Sequence, residues 1–68
     1  MNAESPYQRH DRSLLCTVAE AADLLAIGRT CVYQLMKSGQ LRSVKIGARR
    51  LVPRSAIEEF VHELLEAS

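Results

Sequence analysis

Only three residues, Ala26-Ile27-Gly28, separate two helical runs in this chain. Before the break, Val18, Ala21, Ala22 and Leu25 recur at helical spacing. Thr17 stands just ahead of them with Glu20 three residues on, the pattern in which each residue's side chain bonds the other's backbone N–H at a helix start. The first helix is thus predicted over Val18 to Leu25. After the break, Val32, Leu35 and Met36 form the apolar stripe of a second helix, predicted over Arg29 to Lys37. It ends at Ser38-Gly39, where glycine suits the left-handed position past a helix. A break this short admits little but a sharp helix–turn–helix corner. Ala26 falls at the turn position, where a left-handed backbone would cost about 1–2 kcal/mol without glycine.

The remainder of the pattern is a hairpin and one more helix. Val44 and Ile46 alternate with Ser43 and Lys45, the period of a half-buried strand. Gly47-Ala48 makes the turn, and Arg49 to Val52 returns. Pro53 closes the strand and opens the last helix, where its missing N–H costs nothing. That helix has the cleanest period, through Ile57, Phe60, Val61, Leu64 and Leu65, with Glu58, Glu59, Glu63 and Glu66 on its outer face. The fold class is therefore mostly α with a small β-hairpin: three helices plus a wing, a winged helix-turn-helix. Residues 1–13 are polar and without period, and read as a flexible N-terminal arm ahead of a domain over 14–68. The apolar residues of the last helix are all expected to cover Val18, Leu25, Val32 and Leu35. No apolar stripe is left over on that reading, so the free protein should be a monomer.

Charge points to the partner. Between Leu24 and Ile57 there is no acidic residue, yet the window holds Arg29, Lys37, Arg42, Lys45, Arg49, Arg50 and Arg54, seven of the nine basic residues. All eight carboxylates lie outside it, so the net charge of +1 conceals a strong separation of sign. A one-signed basic block is the footprint of a polyanion partner. An ordinary solvated face is the alternative. Measured from Val32, Thr30, Gln34 and Lys37 point away from the core, flanked by Tyr33 and Arg29, a face suited to base edges and phosphates.

Other chemistry finds little support. The chain has 68 residues and three aromatics, Tyr7, Tyr33 and Phe60, so its core is small and aliphatic. Such a core leaves no room for a large catalytic pocket. Cys16 and Cys31 have no zinc-type spacing, and His10 and His62 lack companions. No metal, cofactor or small-molecule ligand is expected. Tyr33 lacks the Arg and His cluster a cleaving nucleophile would need, so the chain is not expected to be an enzyme. No run is apolar enough for a signal peptide or membrane span. The expected compartment is the cytoplasm of the host cell.

Residues 17 to 57 resemble the excisionase/MerR-type winged-helix DNA-binding family, and the likeness extends over about residues 15 to 66. It is specific at Thr17-Val-Ala-Glu-Ala-Ala, at Arg29-Thr-x-Val-Tyr, at Ser38-Gly-x-Leu and at Lys45-Ile-Gly-x-Arg-Arg. The resemblance implies a phage or mobile-element protein, or a small bacterial regulator. It implies double-stranded DNA as partner, with the second helix in the major groove and the wing along the adjacent minor groove or backbone. Carried over by position, Arg29, Thr30, Tyr33, Gln34 and Lys37 are the recognition-helix contacts, and Lys45, Arg49 and Arg50 the wing contacts. Thr17, at the first helix's N-terminus, joins this set. An excisionase would bind repeated sites beside other copies of itself, bend the DNA and direct an integrase toward excision. The alternatives are a phage or plasmid transcriptional regulator with the same fold, and a winged helix that binds protein. The chain ends just past its last helix without heptads, so a coiled-coil dimer is not expected.

Overall fold

A computed structural model describes residues 14–68. The predicted arm over residues 1–13 lies outside the described residues. The elements run β1 (Leu15–Cys16), α1 (Val18–Leu25), α2 (Arg29–Ser38), β2 (Val44–Ile46), β3 (Arg49–Pro53) and α3 (Arg54–Ala67). This is a winged helix-turn-helix: three helices and an antiparallel sheet of order β1-β3-β2.

The predicted capping box closes the start of α1. Thr17 Oγ1 accepts from the Glu20 N–H at 3.1 Å, and the Thr17 N–H donates to Glu20 Oε1 at 2.9 Å. Ala21 and Ala22 are fully or almost fully buried, and their small side chains let α2 approach closely. Val32, with no exposed surface, is the α2 residue that meets them in the core.

The corner between the helices is left-handed at Ala26, with φ 60° and ψ 39°. The Ala26 N–H donates to Asp23 O at 3.2 Å and the Ile27 N–H to Ala22 O at 3.0 Å, so the last carbonyls of α1 are satisfied. The geometry is therefore the usual one, reached at the steric cost that an alanine incurs there. Ala26 is exposed, so its methyl gains little by packing. Ala26→Gly is expected to raise stability by about 0.5–1 kcal/mol net, after the added entropy of an unfolded glycine. The melting temperature should rise by roughly 2–8 °C in a thermal scan followed by circular dichroism. A fall would mean that the Cβ contributes contacts that outweigh the strain.

After α2, Gly39 takes φ 87° and turns the chain back. The Leu41 N–H then donates to Leu35 O at 3.1 Å, and the Leu41 side chain, 1% exposed, enters the core. Gly47, at φ 62°, supplies the positive φ of the hairpin turn. Pro53 sits just ahead of α3 with φ −61°, and the Arg54 N–H donates across to Leu14 O at 2.8 Å. The pairing of β1 with β3, Leu15 opposite Pro53 and Cys16 opposite Val52, ties the chain before α1 to the base of the wing.

Two expectations are corrected. Val44 and Ile46 are exposed, at 38% and 55%, rather than half-buried. They lie on the edge strand β2, and among the described residues no element covers that face of the wing. On α3, Ile57 is buried and Phe60 half-buried, but Val61, Leu64 and Leu65 are 38%, 53% and 71% exposed. The last turns of α3 run beyond the body that their apolar stripe was expected to cover. An apolar stripe is left over, and the ground for expecting a monomer falls with it.

Candidate nucleic-acid interface

Every candidate side chain on α2 is exposed: Arg29, Thr30, Tyr33, Gln34 and Lys37. The burial of Val32 fixes this, since it turns the opposite side of the helix outward. Tyr33, Met36 and Lys37 of α2 line one cleft with Arg50 of the wing, about 320 Å³ in volume. Helix α2 and the wing thus share one cleft. Met36 was expected only in the core; it is half-buried and floors this cleft. Its i+3 spacing from Tyr33 is the signal that could have placed it there.

The wing divides its cations between two faces. Lys45 pairs with Arg50 across the hairpin and Ile46 pairs with Arg49. Cross-strand partners share a face, and residues two apart along a strand share it too. Arg50 therefore stands on the face that Val52, fully buried, turns toward the body, and Lys45 stands with it. Arg49 stands on the other face, with Val44, Ile46 and Leu51. Arg50 Nη1 donates to Ser43 Oγ at 3.2 Å, a brace that the sequence pattern did not reveal.

The remaining cations of the basic block sit elsewhere. Arg42 Nη2 lies 3.0 Å from Glu59 Oε1, an exposed pair that draws it toward α3. Such a pair is worth less than about 1 kcal/mol and orients the guanidinium rather than locking it. Arg54 is half-buried at the start of α3. Thr17 is half-buried, and its hydroxyl oxygen accepts the cap bond from the Glu20 N–H. Gln34 borders a different groove, between α2 and α3, together with Cys31.

Both thiols are free, Cys16 buried and Cys31 exposed. Burial pushes the Cys16 thiol above its ordinary range, against the opposing pull of the Arg54 charge. Cys16 is a packing residue held protonated. Among the described residues, no group of His, Cys, Asp and Glu could hold a metal ion, and no helix is long and apolar enough to cross a membrane.

Comparison with known proteins agrees with this geometry. The helix-turn-helix domain family matches residues 15–64. A protein of Saccharopolyspora erythraea named "Probable excisionase" is 43% identical over 58 residues, 85% of this chain and 59% of the relative. The chain thus spans somewhat over half of that relative's length. A Streptomyces ambofaciens protein named "Excisionase" is 39% identical over 51 residues, 75% of this chain and 82% of the relative. No solved structure gives a significant match. A capped first helix, a left-handed corner, an exposed second helix and a basic wing, together with these relatives, make the chain a member of the excisionase-type helix-turn-helix family.

Proposed function

We propose that this chain is a DNA-binding excisionase that reads duplex DNA with α2 and grips its backbone with the wing. The observation that carries this reading is the single cleft shared by Tyr33, Lys37 and Arg50. It brings together an aromatic, an amine and a guanidinium, a set suited to a groove edge and its phosphates. Thr30, Gln34 and Lys37 form the reading face, Arg29 and Tyr33 flank it, and Tyr33 offers a hydroxyl and a ring edge. Lys45, Arg49 and Arg50 approach the adjacent backbone, and the Thr17 hydroxyl can donate to a phosphate. The reading requires no catalytic group, metal or cofactor. On a natural attachment site, copies bind side by side about one helical turn apart. They bend the DNA and favour the excisive direction of an integrase, in the cytoplasm of the bacterial host.

The salt dependence of binding tests the first step. With Arg42 drawn to Glu59 and Arg54 half-buried at the start of α3, five cations of the basic block remain on the proposed surface: Arg29, Lys37, Lys45, Arg49 and Arg50. The slope of log K against log salt for duplex DNA is expected to be about −4 to −5. A slope near zero in a fluorescence titration would remove DNA as the partner and favour a protein-binding winged helix.

Sequence discrimination tests the second step. Gln34→Ala and Thr30→Ala are each expected to reduce the preference for the natural site over random DNA by ~1–3 kcal/mol per lost base contact. Competition binding measures this directly. Equal loss on both DNAs would show that these side chains touch backbone, and the reading face would then have to be drawn nearer Tyr33. Excision of a reporter between attachment sites, with and without a co-expressed integrase, separates an excisionase from a transcriptional regulator of the same fold.

A further inference from the structure

Arg42 and Arg50, on either side of Ser43 in the folded chain, have partners of different chemistry. Arg42 meets a carboxylate, Glu59 on α3, at 3.0 Å. Arg50 meets a neutral oxygen, Ser43 Oγ, at 3.2 Å. Among the described residues, no carboxylate lies within ion-pair distance of Arg50. The two bonds have opposite consequences for an incoming anion. A carboxylate offsets the charge and competes for the edge of the guanidinium that an anion would take. A hydroxyl orients the guanidinium and leaves its charge whole.

The hairpin register puts Ser43 where it can do this. Val44 lies opposite Leu51 and Lys45 opposite Arg50. Ser43, one residue before β2, therefore stands diagonal to Arg50 and on the face of Lys45. A long side chain reaches a diagonal neighbour across a strand pair. Ser43 is half-buried and Arg50 exposed, so a short, partly packed side chain holds a long, open one. Lys45, directly across, is a like charge that pushes the guanidinium aside, and the Ser43 bond opposes that push. The bond engages Nη1, one of the guanidinium's N–H donors, and the others remain for the cleft that Arg50 lines with Tyr33, Met36 and Lys37. A phosphate accepts paired donors of this kind in a bidentate bond.

We propose that Ser43 is a positioning residue for DNA binding: its hydroxyl presets the Arg50 guanidinium beside Tyr33 and Lys37, so that it meets a backbone phosphate already ordered. The inference rests on the reading of that cleft as part of the DNA surface. Immobilising a long side chain at the moment of binding weakens association by roughly two- to tenfold. The Ser43 bond makes that ordering part of the fold.

The test measures binding of the full chain to a fluorescein-labelled duplex of random sequence by anisotropy. Ser43→Ala is expected to weaken binding about threefold. That is less than the roughly fivefold loss expected of Arg50→Ala, which removes the whole contact. Ser43→Ala added to Arg50→Ala should cost nothing further, because the hydroxyl acts through the guanidinium. Ser43→Thr should bind like the parent. Ser43→Val, which matches threonine in shape but lacks the hydroxyl, should bind like Ser43→Ala. A merely structural role would treat threonine and valine alike and would add to Arg50→Ala. A second readout needs no DNA: in the nitrogen-15-labelled chain, rotation of the Arg50 guanidinium about its Nε–Cζ bond should be slower in the parent than in Ser43→Ala. Full affinity in Ser43→Ala, a loss that persists beside Arg50→Ala, equal binding of the threonine and valine variants, or equal rotation rates would each overturn the proposal. In those cases a parent chain with a steep salt dependence keeps the DNA reading. A parent salt slope near zero would remove both.

Discussion

Leu41→Ala is expected to leave much of the protein unfolded at room temperature. Leu41 is 1% exposed and is among the largest fully buried side chains. It follows the left-handed Gly39, and its N–H is tied to Leu35 O, so the residue anchors the path from α2 to the wing. Replacing a buried leucine by alanine costs about 2.7–5 kcal/mol, because the cavity collapses only in part. A core of this size supplies a net stability of only ~3–5 kcal/mol. The two figures overlap, and urea titration should show a midpoint near or below zero denaturant. Leu41→Met keeps the volume and is expected to cost less than about 1.5 kcal/mol. Leu65→Ala, at a site 71% exposed, should be close to neutral. If Leu41→Ala melts like the parent chain, the link between α2 and the wing is held by something other than this side chain.

The same contrast shows where the sequence is informative. Helix α1 was legible to its ends, because Thr17 and Glu20 mark the start and the apolar period marks the buried side. Glycines at 39 and 47 marked two turns, since positive φ is their particular capacity. Strand β1 was not legible. Two residues give no period, and its partners at Val52 and Pro53 are distant in sequence. Depth of burial was not legible either. Periodicity shows which side of α3 is apolar, but not how far the body beneath it extends, so Leu64 and Leu65 read as core and are exposed. Charge was legible as a total and not as a location. Arg42 counted with the basic block, yet it meets Glu59, 17 residues away in sequence. The wing cations counted as one set, and only the hairpin register separates Arg49 from Lys45 and Arg50.

That separation leads to the largest expected effect on DNA binding. The triple variant Lys37→Ala, Lys45→Ala, Arg50→Ala removes cations from the shared cleft and from the wing face beside it. Each phosphate neutralised contributes about 0.9 to the salt slope. At physiological ionic strength that corresponds to roughly fivefold in affinity for each contact. The triple variant should therefore bind about a hundredfold more weakly, with a slope shallower by ~2.7, and should lose random and natural sites alike. Arg49→Ala should cost no more than one such contact, because Arg49 stands with Val44 and Ile46 on the outer face. Arg50 lines the cleft with Tyr33 and Lys37, its guanidinium braced by the Ser43 hydroxyl, and Lys45 shares its face of the hairpin. Fluorescence anisotropy across a salt series measures each variant on both DNAs. If Arg49→Ala costs as much as the triple variant, the wing does not lie flat along the backbone. It would then stand edge-on in a narrow minor groove, where an inserted arginine responds to groove width. Loss confined to A·T-rich flanking sequence would be its signature.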